Sequence, residues 1–151
     1  MPKFYSSSEN DTVRLAEEIC RSVGPGSLVL FTGDLGAGKT AFVRGALKAY
    51  GNPSHVSSPT FALVNDYGGS PHVYHFDLYR IRDLDDLYST GFFDYLEDDS
   101  ILFVEWSERI ADAVGDYYAD RIVSVDISRT GEENGRVITV KGRGFDADTG
   151  N

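Results

Sequence analysis

Residues 33–40 read Gly33-Asp34-Leu35-Gly36-Ala37-Gly38-Lys39-Thr40. They fill every fixed position of the pattern G-x-x-x-x-G-K-[ST]. Glycines let the backbone curl until successive amide N–H groups face one centre. The N-terminus of a following helix adds its own unpaired donors, so the turn is a concave, positive seat for phosphate oxygens. A lysine after the last glycine is a point charge for the β- and γ-phosphates, and the next hydroxyl is a ligand for Mg²⁺. The flanks agree with this reading. Leu28-Val29-Leu30-Phe31 is a continuous apolar run, as in a strand buried on both faces. Thr40 to Tyr50 reads as a helix closed by Gly51, with Asn52-Pro53 beyond it.

Further out, Phe4-Tyr5 reads as a short first strand. Ser8 is a helix N-cap, with Val13, Ala16, Ile19 and Cys20 at helical spacing up to Gly24-Pro25-Gly26. Phe61–Tyr67 and His72–Asp77 flank Gly68-Gly69-Ser70, the pattern of an antiparallel hairpin. Asp83–Tyr88, Phe92–Leu96 and Ser107–Val114 read as helical, and Ile101–Val104 as a second buried strand. Ile122–Ile127 and Arg136–Val140 close the chain as strands, and a polar tail is expected to fray from Gly142. Strands separated by helices predict an α/β fold: a P-loop NTPase-like sandwich with a central mixed β-sheet flanked by helices.

The chain has 151 residues, enough to bury roughly 70% of its unfolded surface. We expect one P-loop domain over 1–144 and a flexible acidic tail over 145–151. Cys20 is the only cysteine, which excludes an internal disulfide and a cysteine-based zinc site. No apolar run approaches a membrane span, and Met1–Ser8 lacks a signal-peptide apolar region, so the expected location is cytoplasmic. The net charge is −10, with only four lysines and no basic run. Gripping a nucleic-acid backbone requires clustered Lys and Arg, so any RNA role passes through a partner.

A Mg²⁺–nucleotide site calls for an acid at the end of a neighbouring strand, where ligands bind in α/β sheets. Asp77 ends Val73-Tyr74-His75-Phe76, and Glu105 ends Ile101-Leu102-Phe103-Val104. Lys39, Asp77 and Glu105 are therefore the candidate catalytic residues. Thr40, Asp77 and Glu105 are the candidate metal ligands, and which carboxylate does which task stays open. Ser58 and Thr60, in Ser57-Ser58-Pro59-Thr60, are candidate switch-loop residues that sense the γ-phosphate. The acids Asp83, Asp85, Asp86, Asp94, Glu97, Asp98 and Asp99 lack EF-hand spacing and read as a solvated or docking face. His55, His72 and His75 have no metal-ligand spacing and read as structural or surface residues.

Four stretches occur in order: Gly-Asp-Leu-Gly-Ala-Gly-Lys-Thr, Val-Ser-Ser-Pro-Thr-Phe-Ala-Leu-Val-Asn-Asp-Tyr, His-Phe-Asp-Leu-Tyr-Arg and Val-Glu-Trp-Ser-Glu-Arg. Together, over about residues 8–141, they resemble the bacterial TsaE ATPases of tRNA threonylcarbamoyladenosine biosynthesis. The resemblance implies a small P-loop fold, ATP and Mg²⁺ as cofactors, and weak intrinsic hydrolysis. It implies a protein partner, a TsaB–TsaD-like complex that modifies the adenosine beside the anticodon, with tRNA met only indirectly and the chain alone a monomer. Position by position, Gly33, Leu35, Gly36, Ala37, Gly38, Lys39 and Thr40 would hold the nucleotide, and Thr40 and Glu105 match metal-binding positions. Thr12 matches a nucleotide contact, Asp77 the acid of Asp-Leu-Tyr-Arg, and Trp106 the tryptophan beside the site. A small-molecule kinase is the competing reading, but no inserted Arg-rich lid fits in a chain of this length. A GTP switch would need an Asn-Lys-x-Asp element, which the sequence lacks.

Overall fold

The computed structural model describes residues 2–33, 38–54, 64–106, 108 and 111–145. Seven strands form one sheet: β1 (Lys3–Ser6), β2 (Leu28–Gly33), β3 (Val64–Gly68), β4 (His72–Asp77), β5 (Ser100–Glu105), β6 (Ile122–Arg129) and β7 (Arg136–Gly142). Their order is β1-β7-β6-β2-β5-β4-β3. The neighbours β6, β2, β5 and β4 run parallel, and β7, β3 and β1 join by antiparallel pairing. The sheet is mixed and flanked by helices on both faces, which agrees with the α/β sandwich expected from the sequence.

Side chains alternate between the faces of a strand, so each face has its own core. On one face, helices α1 (Glu9–Cys20) and α2 (Lys39–Ala49) cover Val29, Phe31, Val73, Phe103, Val123 and Val125. On the other, α3 (Leu84–Ser89), α4 (Ala111–Tyr118) and a 3-10 turn at Phe92–Tyr95 cover Leu28, Leu30, Phe76, Leu102 and Val104. Because β2 and β5 are central and helix-covered on both sides, they read as unbroken apolar runs.

Helix α1 begins where expected: Ser8 is extended, and its side chain accepts a hydrogen bond from the Asp11 N–H at 3.0 Å. Helices α1 and α2 pack closely because Gly45 has no Cβ. One built there would lie 2.6 Å from the Ala16 Cβ and would also collide with the Val13 carbonyl. This close crossing brings the start of α1 to the start of α2.

Three expectations are corrected. The helix expected to end at Val114 continues to Tyr118, with α4 described over Ala111–Tyr118; residues 107, 109 and 110 lie outside the described residues. Val114 is buried and Tyr118 stacks on Phe93 with ring centroids 5.9 Å apart, so tertiary packing carries the helix through Gly115 against its propensity. The strand expected to stop at Val140 continues to Gly142. Nor does the chain fray there: the Arg143 N–H donates to the Ile122 carbonyl at 3.0 Å, and Phe145 packs against the core. The hairpin lies where expected, with its first strand described from Val64; Ser58 and Thr60 lie outside the described residues.

Candidate functional site

The site forms at the carboxyl ends of the parallel strands, on the face covered by α1 and α2. Gly33 ends β2 with φ +108°, a left-handed conformation that suits glycine. A Cβ at Gly33 would collide with the Ile127 carbonyl, so the β2–β6 ladder itself demands glycine there. Gly38, at φ +116°, is the N-cap of α2 and has no side chain to cap the helix. The start of α2 therefore has no N-cap side chain, and a helix N-terminus is where backbone amides and the helix dipole favour an anion. Leu35, Gly36 and Ala37 lie outside the described residues.

Lys39 opens α2 and is 6% exposed. Its Nζ lies 6.0 Å from the centroid of the Trp106 ring, at cation–π range. None of the ion pairs among the described residues includes Lys39. A buried ammonium without a carboxylate partner is poised to meet an anion. Thr40 follows in the same first turn and is half-buried.

Asp77 and Glu105 are register partners on the parallel strands β4 and β5. Paired residues share a face and have backbones about 4.8 Å apart, so the two carboxylates are set side by side. Each already has one contact. Asp77 accepts the Tyr79 N–H at 3.0 Å, which turns the chain out of β4. Glu105 Oε2 lies 2.6 Å from Nε2 of the wholly buried His75. The reading of His75 as structural missed this link, which crosses from β4 to β5 and has no local signal in the sequence.

Trp106 follows Glu105 at φ +63°, a rare conformation for a residue with a side chain. Its ring meets Tyr79 edge-on at 4.8 Å. The turn after β5 thus sets Trp106 over Lys39, and Tyr79, from the turn after β4, packs against the indole. Thr12 lies in the first turns of α1, with its methyl 3.6 Å from the place a Cβ would occupy at Gly38. Its hydroxyl is paired with the Ser6 hydroxyl at 2.7 Å, and its methyl is the group nearest Gly38. The structure thus gathers Thr12, Gly33, Gly38, Lys39, Thr40, Asp77, Glu105 and Trp106 at one sheet edge.

Three acids of the cluster have structural tasks. Asp83 caps α3 by accepting the Asp86 N–H at 2.8 Å. Asp86 pairs with Arg82 at 2.9 Å, and the Arg82 guanidinium holds its carboxyl below the usual carboxylate range. Asp98 pairs with Arg121 at 2.6 Å. No group of three metal-ligating side chains forms among the described residues, and no helix there is long and apolar enough to cross a membrane.

The profile of the family "Threonylcarbamoyl adenosine biosynthesis protein TsaE" matches residues 6–138. This chain belongs to the TsaE family. TsaE of Aquifex aeolicus is 41% identical over 138 residues, covering 88% of this chain and 90% of that one. TsaE of Haemophilus influenzae is 43% identical over 100 residues, covering 66% of this chain. That alignment spans 62% of the Haemophilus protein, and the one with Rickettsia conorii TsaE spans 60% of its length, so the chain covers less than two thirds of both. Among solved structures, Bacillus YdiB superposes with a TM-score of 0.68 at 27% identity, over 92% of this chain and 83% of that one. The TsaE profile takes in the loop, both strand-end acids and Trp106, so the gathered residues lie inside the part of the chain shared with the family.

Proposed function

We propose that this chain binds ATP with Mg²⁺ and hydrolyses it to support a protein complex that forms threonylcarbamoyladenosine on tRNA. The observation that carries this reading is the buried Lys39, without an ion-pair partner among the described residues, beside a glycine-bent helix start, with Asp77 and Glu105 in register on the adjoining strands. The donor set fits a Mg²⁺-bound nucleotide: backbone amides and an ammonium for phosphate oxygens, and a hydroxyl with two carboxylates for a hard cation. When bound, Mg²⁺ neutralises charge on the β- and γ-phosphate oxygens. The chain's residues do the rest. The amides at the start of α2 and Lys39 hold the phosphates, and Thr40 and one carboxylate hold the metal. The other carboxylate orients the attacking water and receives its proton. Trp106, with Tyr79 packed edge-on against it, covers Lys39, which strengthens the charge interactions of the ammonium.

A TsaB–TsaD-like complex is the proposed partner. With a net charge of −10, the chain has no electrostatic means of its own to hold an RNA backbone, and it suits a partner with a basic surface. Hydrolysis then resets the partner rather than modifying tRNA directly. Calorimetry or pull-down with the partner in ATP, ADP and no nucleotide tests this. ATP with Mg²⁺ should strengthen association. Equal affinity in all three states would remove the nucleotide switch, and phosphate transferred to a small acceptor would make the chain a kinase.

A further inference from the structure

His75 lies on β4 two residues before Asp77, on the face that carries Asp77 and Glu105. Its ring is wholly buried. Nε2 sits 2.6 Å from Glu105 Oε2, and Nδ1 has no hydrogen-bond partner among the described residues. A carboxylate can only accept, so Nε2 is the donor to Glu105. A buried polar atom left without a partner is unfavourable, and an apolar side chain of similar size would fill the same space without one. Packing therefore does not account for a histidine here; its single hydrogen bond does. Glu105 is only 15% exposed along its side chain. With Oε2 held from below, Oε1 is the oxygen left for the site.

We propose that His75 is a positioning residue for hydrolysis: its Nε2–H fixes the Glu105 carboxylate so that Oε1 is presented in one orientation beside Asp77. This rests on the reading of Glu105 as a functional carboxylate. A hydrogen bond in an apolar surrounding is strong and directional, and such a bond to a ligating carboxylate sets its angle. The alternation of β4 places His75 beneath the site, where it orients Glu105 without touching the nucleotide.

The test compares two amides of equal polarity but different reach. In His75→Gln the terminal NH₂ can occupy the place of Nε2; in His75→Asn it stops near that of Nδ1. His75→Gln should keep turnover within about 3-fold of wild type, and His75→Asn should lose about 10–100-fold. Affinity for a fluorescent ATP analogue without Mg²⁺ should stay within about 2-fold in both. The gain in analogue affinity on adding Mg²⁺ should shrink in His75→Asn alone. In nucleotide-free wild type, nitrogen–proton spectra should show an exchange-protected His75 Nε2–H that shifts in Glu105→Gln. Equal turnover in the two amide variants would overturn the proposal. So would an Nε2–H that is absent or insensitive to Glu105→Gln, a readout that stands even if a variant fails to fold. Normal turnover by Glu105→Gln would instead sink the functional reading of Glu105.

Discussion

Replacing Lys39 with Met should separate two quantities that usually fall together. Lys39 is 6% exposed, and a change at so buried a position ordinarily costs stability. Methionine keeps an unbranched stem near Trp106 and removes only the charge. Among the described residues the nucleotide-free protein gives that charge no carboxylate, only the Trp106 ring at 6.0 Å, to offset its desolvation. Relieving it should leave stability unchanged or raise it by up to about 2 kcal/mol, a Tm gain of about 0–8 °C for a chain of this size. Nucleotide affinity should move the other way. A charge-assisted hydrogen bond contributes about 1.5–3 kcal/mol, which is a loss of about 10–150-fold in Kd. Thermal unfolding followed by circular dichroism gives the first quantity, and titration of a fluorescent ATP analogue gives the second. A variant that melts several degrees lower and binds the analogue like wild type would refute the reasoning, because Lys39 would then serve packing and not phosphate.

Thr40→Ala should lose most of the Mg²⁺ dependence of ATP binding while keeping nucleotide contact, because the backbone amides remain; titrations in Mg²⁺ and in EDTA compare the two. Gly33→Ala should destabilise by more than about 2 kcal/mol, since its Cβ meets the Ile127 carbonyl and its backbone is left-handed; denaturant unfolding measures this. Burial pushes the Cys20 thiol up to about 12, so native protein at pH 8 should react with a disulfide reagent only through opening. The folded state keeps that proton while the unfolded thiol, at 9.0, releases it. This contribution to stability is complete below about pH 9 and declines as pH rises towards 12, and Cys20→Ala should flatten the decline.

The strand and helix on either side of residues 34–37 were legible because their signal is local: an apolar run, a glycine-rich motif and a helical pattern in direct succession. The hairpin was legible for the same reason, from Gly68-Gly69-Ser70 between two strand patterns. The two acids could be placed at strand ends, but their adjacency could not. That depends on β4 and β5 being parallel neighbours in an order where β2 is inserted between β5 and β6. The His75–Glu105 contact spans 30 residues and exists only once that order is set. The end of α4 was placed too early, at Val114, because packing at Val114 and Tyr118 carries the helix on through Gly115. Thr12 was matched through the family resemblance alone, and its reach to Gly38 follows from the α1–α2 crossing at Gly45, which a single sequence does not reveal.

The most direct test of the central claim is phosphate release from ATP across a Mg²⁺ titration, in wild type, Asp77→Asn and Glu105→Gln. Both substitutions keep the side-chain shape and remove its charge, so any loss reports chemistry rather than packing. The account predicts slow, Mg²⁺-dependent release by wild type and none above background by either variant. Equal release by all three, or release indifferent to Mg²⁺, would contradict it.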